Sequence, residues 1–542
     1  MFRILLCFLV SIPFFVSAQN RAEKKLIQQL KQDIGYLASD ELEGRRTGTE
    51  GERKAADFLI KRYQSLGIKP FGEDYRHSFE FVYGKEMGPD NSIILNGHRL
   101  KIPEDAFPLP FSGNAASSLS ADVLPEVFEQ GSIWLISLFK DEEEARDAHF
   151  DWEKQMFERA REASKQGATA VVFYDGHGAR FSPTFQSRSD FESLEIPVIF
   201  LGHQAYKQYL LDQPEGARLE LTTELNKREF TGTNVAAYID NGAPYTVVLG
   251  AHYDHLGWGE DGSSLHAGKE RQIHNGADDN ASGTAALLYL ANEIKEKKLR
   301  NYNYLFLHFS GEELGLLGSK AFVKAMGLDS GKMSYMINMD MIGRLNDSTK
   351  ALTVGGVGTS PLWGKHIAAR HRDFRLNIDS SGVGPSDHTS FYHQGIPVLF
   401  FFTGLHSDYH KPSDDAEKVN YYGQVKVMNY ILDLIRKMDK EPKPVFTPTK
   451  QSQVSKVRFK VTLGIMADYS FHEGGVKVDG VTEDRPAQKA GIQPGDIIIQ
   501  LGEHKITGMQ TYMEALSKSK SGETVDVTVL RNGEPVTMKL TF

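Results

Sequence analysis

The chain has 542 residues, which is too long for one compact core; at roughly 150 residues per domain, this length predicts three or four folded units. Hydrophobic residues make up 40% and charged residues 25%, as in ordinary soluble globular proteins. The net charge of −9 argues against a nucleic-acid partner, because phosphates attract a basic surface.

The first residues have the pattern of a secretory signal peptide, which we assign to residues 1–18. Arg3 precedes an apolar run from Ile4 to Val16, and a small-residue cleavage site ends at Ala18. A membrane anchor needs about 20 apolar residues, and this run is shorter. A lipoprotein is a weaker alternative, because Cys7 lies inside the apolar run. We expect an exported protein, periplasmic or extracellular, without a stable membrane span.

Cleavage after Ala18 leaves no cysteine in the mature chain. Disulfides and thiolate chemistry are then excluded, although the protein enters an oxidising compartment. Any bound metal must be held by histidine, aspartate and glutamate.

Residues 19–105 begin the main domain. Helical apolar spacing runs from Ala22 to Leu66 and is interrupted by the glycine-containing loop SDELEGRRTGTEG, residues 39–51. Strand-like pieces follow to Leu100.

Residues 106–226 have a different character and predict an inserted α/β lobe. Buried strands are expected at Ile133–Ile136, Ala170–Tyr174 and Ile196–Phe200, with one charged helix from Glu142 to Gln166. We find no catalytic constellation in this segment.

Residues 227–440 alternate short apolar strands with helices, for example Val247–Leu249, Tyr304–Leu307 and the helix Ser282–Lys295. This alternation predicts an α/β fold with a doubly wound, mostly parallel sheet flanked by helices. Ligands of such sheets bind at the carboxyl ends of the strands.

Residues 441–454, rich in proline, are predicted to be a linker. Residues 455–542 contain short strands and a hairpin signal, Asn532-Gly533, between two alternating runs. They predict a small β-rich domain.

Five segments of residues 227–440 place acidic residues or histidine in loops, mostly just after a strand. Taken singly, Asp278-Asp279 could cap a helix, Glu312-Glu313 could be an acidic first turn, and His410 could lie on the surface. Together they match a two-metal site, in which ions about 3.5–4 Å apart share a bridging carboxylate and take further ligands each. Oxygen and imidazole ligands suit catalytic zinc.

The motifs HYDH, GADDNASG, SGEELGLLGS, NMDMIG and YHKPSDD, in this order, resemble family M28 of co-catalytic zinc peptidases, which are mostly aminopeptidases. The resemblance covers Gly232 to Met438, and the loop at residues 39–51 matches the family's N-terminal segment. Residues 19–105 and 227–440 would then be two parts of one peptidase domain.

The resemblance implies two Zn²⁺ ions per chain. Asp279 would bridge them, His252 and Asp340 would complete one site, and Glu313 and His410 would complete the other. The implied metal ligands are therefore His252, Asp279, Glu313, Asp340 and His410.

The resemblance also assigns roles near the metals. Glu312 would be the general base that activates a metal-bridged water, and Asp254 would orient His252. Tyr409 would stabilise the oxyanion. Asp387 and His388 would contact the substrate or support the ligands from behind.

The insert, with AREASKQGATAVVFYD and IPVIFLG, resembles a protease-associated (PA) domain, a lobe that overhangs the active site in relatives and restricts substrate size. The C-terminal part resembles a PDZ domain. There, backbone N–H groups of Leu463, Gly464 and Ile465 would receive the C-terminal carboxylate of a peptide or protein ligand. The alternative is that this domain only packs against the catalytic domain.

We therefore predict an exported dizinc aminopeptidase that acts on peptides. A carboxypeptidase is an alternative and would need a cation for the substrate carboxylate, with Arg344 as the candidate. A glutaminyl cyclase of this fold would use a single zinc, and retention of both His252 and Asp340 disfavours it. A non-catalytic binding protein is disfavoured because none of the five ligands is missing.

Overall fold

A computed structural model gives the fold. The structure describes residues 12–147, 150–179, 182–189, 191–213, 216–261, 263–266, 268, 270–325, 331–367, 371–449, 461–467, 474–481, 485–520 and 522–542. Most of the predicted signal peptide, residues 1–11, lies outside these ranges. In the described part of the chain, every helix is too short or too polar to span a bilayer.

A nine-stranded sheet organises the main domain, with a parallel centre and antiparallel margins. Asn303–Phe309, Thr246–His252, Met333–Met339 and Val398–Phe402 are adjacent and parallel. The remaining strands are antiparallel to this centre or lie beyond it: Lys69–Pro70, Arg76–Met87, Leu225–Ile239, Ala351–Gly355 and Arg375–Ile378. The predicted mostly parallel sheet is confirmed at its centre.

Helices cover both faces of this sheet, so the doubly wound prediction is also confirmed. Val247 and Leu249 pack into the core under one set of helices, whereas Val248 points into the core on the opposite face. This alternation is the two-residue period of a strand buried on both sides. The helices of this domain are Ile12–Leu37, Glu50–Ser65, Gly283–Glu296, Leu317–Ala325, Trp363–His366, His388–Tyr392 and Tyr421–Met438, with short helical turns at Asp40–Arg45, Ala277–Ser282, Val357–Thr359 and Ala416–Lys418.

Residues 80–230 form a separate compact unit, and the predicted insert at 106–226 lies inside it. The residues of this unit that the structure describes form two four-stranded sheets. One consists of His98–Arg99, Ser92–Leu95, Ala217–Thr223 and Ala115–Val123, and the other of Ala106–Pro108, Val198–Leu201, Ala170–Tyr174 and Ile133–Ser137.

The single helix predicted from Glu142 to Gln166 is wrong. The structure has Glu142–Arg146 and Trp152–Lys165 instead, followed later by His203–Tyr209. Asp151 begins the second helix, because its carboxylate accepts the backbone N–H of Lys154 (3.2 Å). An aspartate N-cap favours a helix start over a continuous helix.

The C-terminal part is β-rich, as predicted. Its strands are Ile465–Ala467, Val476–Val481, Ile497–Leu501, His504–Lys505, Thr524–Arg531 and Glu534–Thr541, and its helices are Pro486–Ala490 and Met509–Lys518. The predicted hairpin pairs Arg531 with Glu534. Asn532 (φ 52°) and Gly533 (φ 87°) form its turn, which needs two left-handed residues.

Candidate active site

The predicted site residues follow neighbouring strands of the parallel centre. His252 ends the strand Thr246–His252, and Asp340 follows Met333–Met339. Glu312 and Glu313 come three and four residues after Asn303–Phe309. Because parallel strands end at the same edge of a sheet, these loops converge there.

One cluster joins His252, Asp279 and Asp340, all of them buried. Nε2 of His252 lies 3.3 Å from Oδ1 of Asp279 and 3.2 Å from Oδ1 of Asp340. These three residues could hold a metal ion with one atom each.

A second cluster lies beside it. Nε2 of His410 is 3.3 Å from Oδ2 of Asp279 and 3.3 Å from Oε2 of Glu313. The two carboxylate oxygens of Asp279 therefore face different imidazoles, so that Asp279 belongs to both clusters.

The spacing of these atoms suits zinc. Two ligands on a tetrahedral zinc, each about 2.0–2.1 Å from the ion, lie roughly 3.3 Å apart. The four imidazole–carboxylate distances of the two clusters are all 3.2–3.3 Å. The donor set, carboxylate oxygen and imidazole nitrogen, is one that zinc accepts.

The charges of the clusters also favour cations. Burial lowers the pKa of His410, but Glu313 and Asp279 raise it to about 11. Burial and Asp279 raise the pKa of Glu313, but His410 and His255 bring it down to about 2. Buried carboxylates at this density need positive charge, which protons or metal ions can supply.

The imidazoles of His252 and His410 are both oriented through their other ring nitrogen. Nδ1 of His252 donates to the carbonyl of Asp254 (3.2 Å), and Nδ1 of His410 donates to the carbonyl of Ser263 (3.0 Å). Each Nε2 is directed at the carboxylates, and in the neutral form of the ring, with the proton on Nδ1, it is the nitrogen that can bind a metal, which is how metal-binding histidines are usually fixed.

Asp254 was predicted to orient His252 with its carboxylate. That carboxylate lies 3.6 Å from Nδ1 of His252, while the Asp254 carbonyl is closer. The carboxylate oxygens also accept the backbone N–H groups of Glu312 (3.2 Å) and Glu313 (3.4 Å), and the hydroxyl of Thr47 donates to the carboxylate as well (3.0 Å). Asp254 therefore positions the loop that carries both glutamates.

The charges of His252 and Asp340, both in the first cluster, act on the Glu312 carboxyl. Burial raises the pKa of Glu312 well above its usual value; the charge of His252 opposes this, and Asp340 and Asp387 add to it. Glu312 and Glu313 thus differ in environment although they are adjacent, since Glu313 faces the second cluster.

Tyr409 lies at the same edge, and its ring stacks on His410 with 3.9 Å between centroids. Burial, followed by the charges of Asp279 and Glu313, raises the pKa of Tyr409 well above its usual value. The phenol therefore stays protonated and can donate a hydrogen bond near the clusters.

Asp387 and His388 are both buried but differ in location. The His388 ring stacks on Phe400 (4.6 Å between centroids), and burial lowers its pKa to about 3. Burial raises the pKa of Asp387 to about 7. The preceding residue, Ser386, contacts a predicted ligand directly, because its hydroxyl donates to Oδ2 of Asp340 (2.7 Å).

Two contacts of the ligands escaped the sequence reasoning, namely Ser386 with Asp340 and His255 with Glu313. Nδ1 of His255 lies 2.7 Å from Oε1 of Glu313. Both residues lie inside motifs in which a neighbouring residue was singled out. Ser386 directly precedes Asp387, and His255 directly follows Asp254. Their position in those motifs was the available signal.

The predicted PDZ loop is described from residue 461 onward. Leu463 is buried, and its carbonyl accepts the N–H of Ala487 (2.8 Å). The N–H of Gly464 donates to Oγ1 of Thr462 (3.1 Å), and Ile465 begins the strand Ile465–Ala467.

The main domain is thus an α/β fold that carries two carboxylate–imidazole clusters at the carboxyl ends of its parallel strands. Residues 234–435 match the profile of peptidase family M28, and residues 457–542 match that of the PDZ domain. The chain therefore carries a family M28 peptidase domain followed by a PDZ domain.

Aminopeptidase YwaD of Bacillus subtilis (strain 168) is 25% identical over 277 residues, 49% of this chain and 56% of that protein. Leupeptin-inactivating enzyme 1 of Streptomyces exfoliatus is 30% identical over 233 residues, 40% of this chain and 46% of that protein. The chain thus spans about half the length of these curated relatives. A solved zinc aminopeptidase from Bacillus subtilis, BSAP, covers 80% of this chain and 98% of its own at 20% identity, with a TM-score of 0.45.

Proposed function

We propose that this protein is an exported dizinc aminopeptidase that removes N-terminal residues from peptides. The observation that carries the proposal is that the two carboxylate oxygens of Asp279 face different histidines. Oδ1 faces His252 and Oδ2 faces His410, each at 3.3 Å. A carboxylate shared between two imidazole-containing clusters is what a pair of bridged metal ions requires.

His252 and Asp340 would hold one zinc, Glu313 and His410 the other, with Asp279 common to both. When bound, the two ions would make a water more acidic and polarise the scissile carbonyl. Glu312 accepts the proton of the attacking water and delivers it to the leaving amine. Its nearness to His252 and Asp340, through which their charges shift its pKa, supports this role.

Tyr409 would donate its phenolic proton to the oxyanion that forms at the substrate carbonyl. Its protonated state near the clusters supports this, as does the stacking of its ring on His410. Asp254 would keep Glu312 in place through the backbone N–H that it accepts.

The direction of cleavage is proposed from two observations. YwaD is an aminopeptidase by name, and a carboxypeptidase would need a cation available to the substrate carboxylate. Arg344, the candidate for that cation, already donates to Oδ2 of Asp408 (2.9 Å) and lies 4.0 Å from Oδ1 of Asp414. The charge of Arg344 is therefore engaged in ion pairs within the protein.

The sequence patterns of the other parts of the chain suggest further roles. The unit at residues 80–230 would be a PA domain that limits substrate size, and the PDZ domain would bind a C-terminal peptide or protein segment. Residues 1–18 would direct export to the periplasm or the exterior.

The test uses a panel of fluorogenic amino-acid amides with the purified protein, with and without a chelator. Glu312→Gln should lower kcat by about 10²–10⁴-fold, because proton transfer is lost, and should keep two zinc ions per chain. Glu313→Gln should bind less zinc, because a charged ligand is lost. N-acetylated peptides should not be cleaved.

Activity that survives the chelator, or Glu312→Gln retaining full turnover, would overturn the mechanism. Cleavage of N-acetylated but not of C-amidated peptides would establish a carboxypeptidase instead. Zinc content measured by atomic absorption separates a loss of metal from a loss of turnover in each variant.

A further inference from the structure

His255 is a buried histidine that the proposed mechanism leaves without a role. It directly follows Asp254, and its side chain has no exposed surface. Its Nδ1 lies 2.7 Å from Oε1 of Glu313, and its Nε2 has no hydrogen-bond partner among the residues that the structure describes. A buried imidazole placed this way next to a predicted ligand requires an explanation.

The distance favours a hydrogen bond between His255 and Glu313, although these two residues and Asp279 also form a group whose atoms could hold a metal ion. The imidazole–carboxylate pairs of the two clusters are 3.2–3.3 Å apart, which matches two ligands of one zinc. His255 and Glu313 approach to 2.7 Å, which is the length of a charge-assisted hydrogen bond. Since a carboxylate can only accept, Nδ1 of His255 is the donor.

The two outer carboxylate ligands are held in the same manner. Asp340 directs Oδ1 at His252 and accepts the Ser386 hydroxyl on Oδ2 (2.7 Å). Glu313 directs Oε2 at His410 and accepts His255 on Oε1. In each case one oxygen faces the cluster and the other is fixed by a side-chain donor. His255 thus fixes one oxygen of Glu313 in the same way that Ser386 fixes one oxygen of Asp340.

Packing fixes the ring of His255 in this orientation. Gly276 adopts φ +57°, and a Cβ added there would lie 2.5 Å from Cδ2 of His255. The absence of a side chain at Gly276 therefore leaves the space that the ring fills. This glycine begins the turn that carries Asp279, so the ring and the bridging carboxylate are set by the same loop.

We propose that His255 is a positioning residue that fixes Glu313 as a ligand through one oxygen and thereby sets the zinc affinity of the Glu313–His410 site. The inference rests on the proposed two-zinc site. Loss of such a supporting hydrogen bond typically lowers metal affinity about 10–100-fold.

The test measures zinc binding to the metal-free full chain by competition with a chromophoric chelator, without any activity assay. His255→Asn keeps a donor where Nδ1 stands but no ring nitrogen, and His255→Phe keeps the ring without a donor. We expect the unmodified protein and both variants to bind two zinc ions per chain. The weaker dissociation constant should rise about 10–100-fold in His255→Phe and stay within about threefold in His255→Asn.

Ser386→Ala and His308→Phe are the controls. Ser386→Ala should weaken zinc binding at the site that contains Asp340. His308 is also buried and bonds Tyr63 (2.8 Å), and His308→Phe should leave both zinc affinities unchanged. Circular dichroism of the metal-free proteins checks folding, and His255→Ala replaces His255→Phe if the latter does not fold.

Equal loss of zinc in His255→Asn and His255→Phe would make His255 a ligand in its own right and overturn the inference, as would unchanged affinity in His255→Phe. Fewer than two zinc ions in the unmodified protein would instead overturn the proposed function. The two failures are therefore separate results.

Discussion

Glu52 is a buried carboxylate that links the helix Glu50–Ser65 to the loop that contains Glu312 and Glu313. It accepts the hydroxyl of Ser310 (2.6 Å) and the backbone N–H groups of Thr233 (2.8 Å) and Gly48 (2.7 Å). Burial nevertheless raises its pKa from the usual 4.5 to about 7. The Tyr253 hydroxyl also donates to Glu52 (3.4 Å), and the cost of desolvation exceeds the gain from all four hydrogen bonds.

This raised pKa predicts a pH dependence of stability. The folded state holds the Glu52 proton more tightly than the unfolded chain, so stability is fully present below about pH 4.5 and is lost as pH rises through about 7. The loss amounts to at most about 3 kcal/mol. In Glu52→Gln this contribution disappears, so the free energy of unfolding should change less between pH 4.5 and 7.5.

Urea denaturation of both proteins across this pH range provides the measurement. Glu50→Gln is the control, because Glu50 is exposed on the same helical turn and pairs only with its neighbour Arg53 among the described contacts. Parallel stability curves for the unmodified protein and Glu52→Gln would refute the prediction.

At the scale of elements, Arg45 joins segments that are far apart in the chain. It is fully buried, and its guanidinium donates to the carbonyls of Tyr253 (2.8 Å), Asn275 (2.6 Å) and Gly276 (3.1 Å) and to that of Leu37. One side chain thereby ties the end of the first helix to the loop that follows His252 and to the loop that precedes Asp279.

Replacing Arg45 by methionine should therefore destabilise the protein by about 3 kcal/mol or more, because several buried carbonyls lose their donor. Arg53→Met, which removes an exposed pair with Glu50, should change stability by no more than about 0.5 kcal/mol. Urea unfolding with excess zinc measures both. A change in Arg45→Met as small as that in Arg53→Met would contradict the structural role.

The sequence was sufficient to predict which loops meet, but not how their side chains are paired. Strand ends were visible as apolar runs, so the convergence of the loops could be predicted, whereas the assignment of His252 and Asp340 as metal ligands came from the resemblance to family M28 and stays a prediction. The contact of His255 with Glu313 joins residues 58 apart, and Ser386 with Asp340 joins residues 46 apart. Such pairs depend on rotamers that only the packed fold determines.

The same reasoning applies to the fold. Periodicity predicted the helix Ser282–Lys295, which the structure places at Gly283–Glu296, and it predicted the central strands, because their apolar faces are continuous. It failed at Glu142–Gln166, where charged residues continue through the break and only the cap at Asp151 marks the new helix. A local hydrogen bond decided the structure there.

For the whole molecule, the unit at residues 80–230 leaves and rejoins the main domain at neighbouring points. Ser78 and Thr233, on either side of it, lie 3.3 Å apart between their hydroxyl oxygens. The unit has its own sheets and its own hydrophobic core. An insert with adjacent ends can be removed without stretching the host chain.

We therefore expect that a variant lacking residues 80–230, with Phe79 joined to Thr231 by a short Asn-Gly turn, folds and binds as much zinc as the full chain. It should cleave amino-acid amides at a rate within about tenfold of the full chain, because the predicted ligands all lie outside the insert. Zinc content and amide hydrolysis are measured side by side. A variant that folds but binds no zinc would show that the insert is part of the metal site.

Asp279 gives the two clusters one member in common, and this has a thermodynamic consequence. With one cation in place, the Asp279 carboxylate is already oriented for the second, while the charge of the first opposes it. Zinc loading is then a linked equilibrium, and each site changes the affinity of the other by the same factor. Stepwise titration of the metal-free protein should therefore give two unequal constants, and a change to Asp279 should alter both at once.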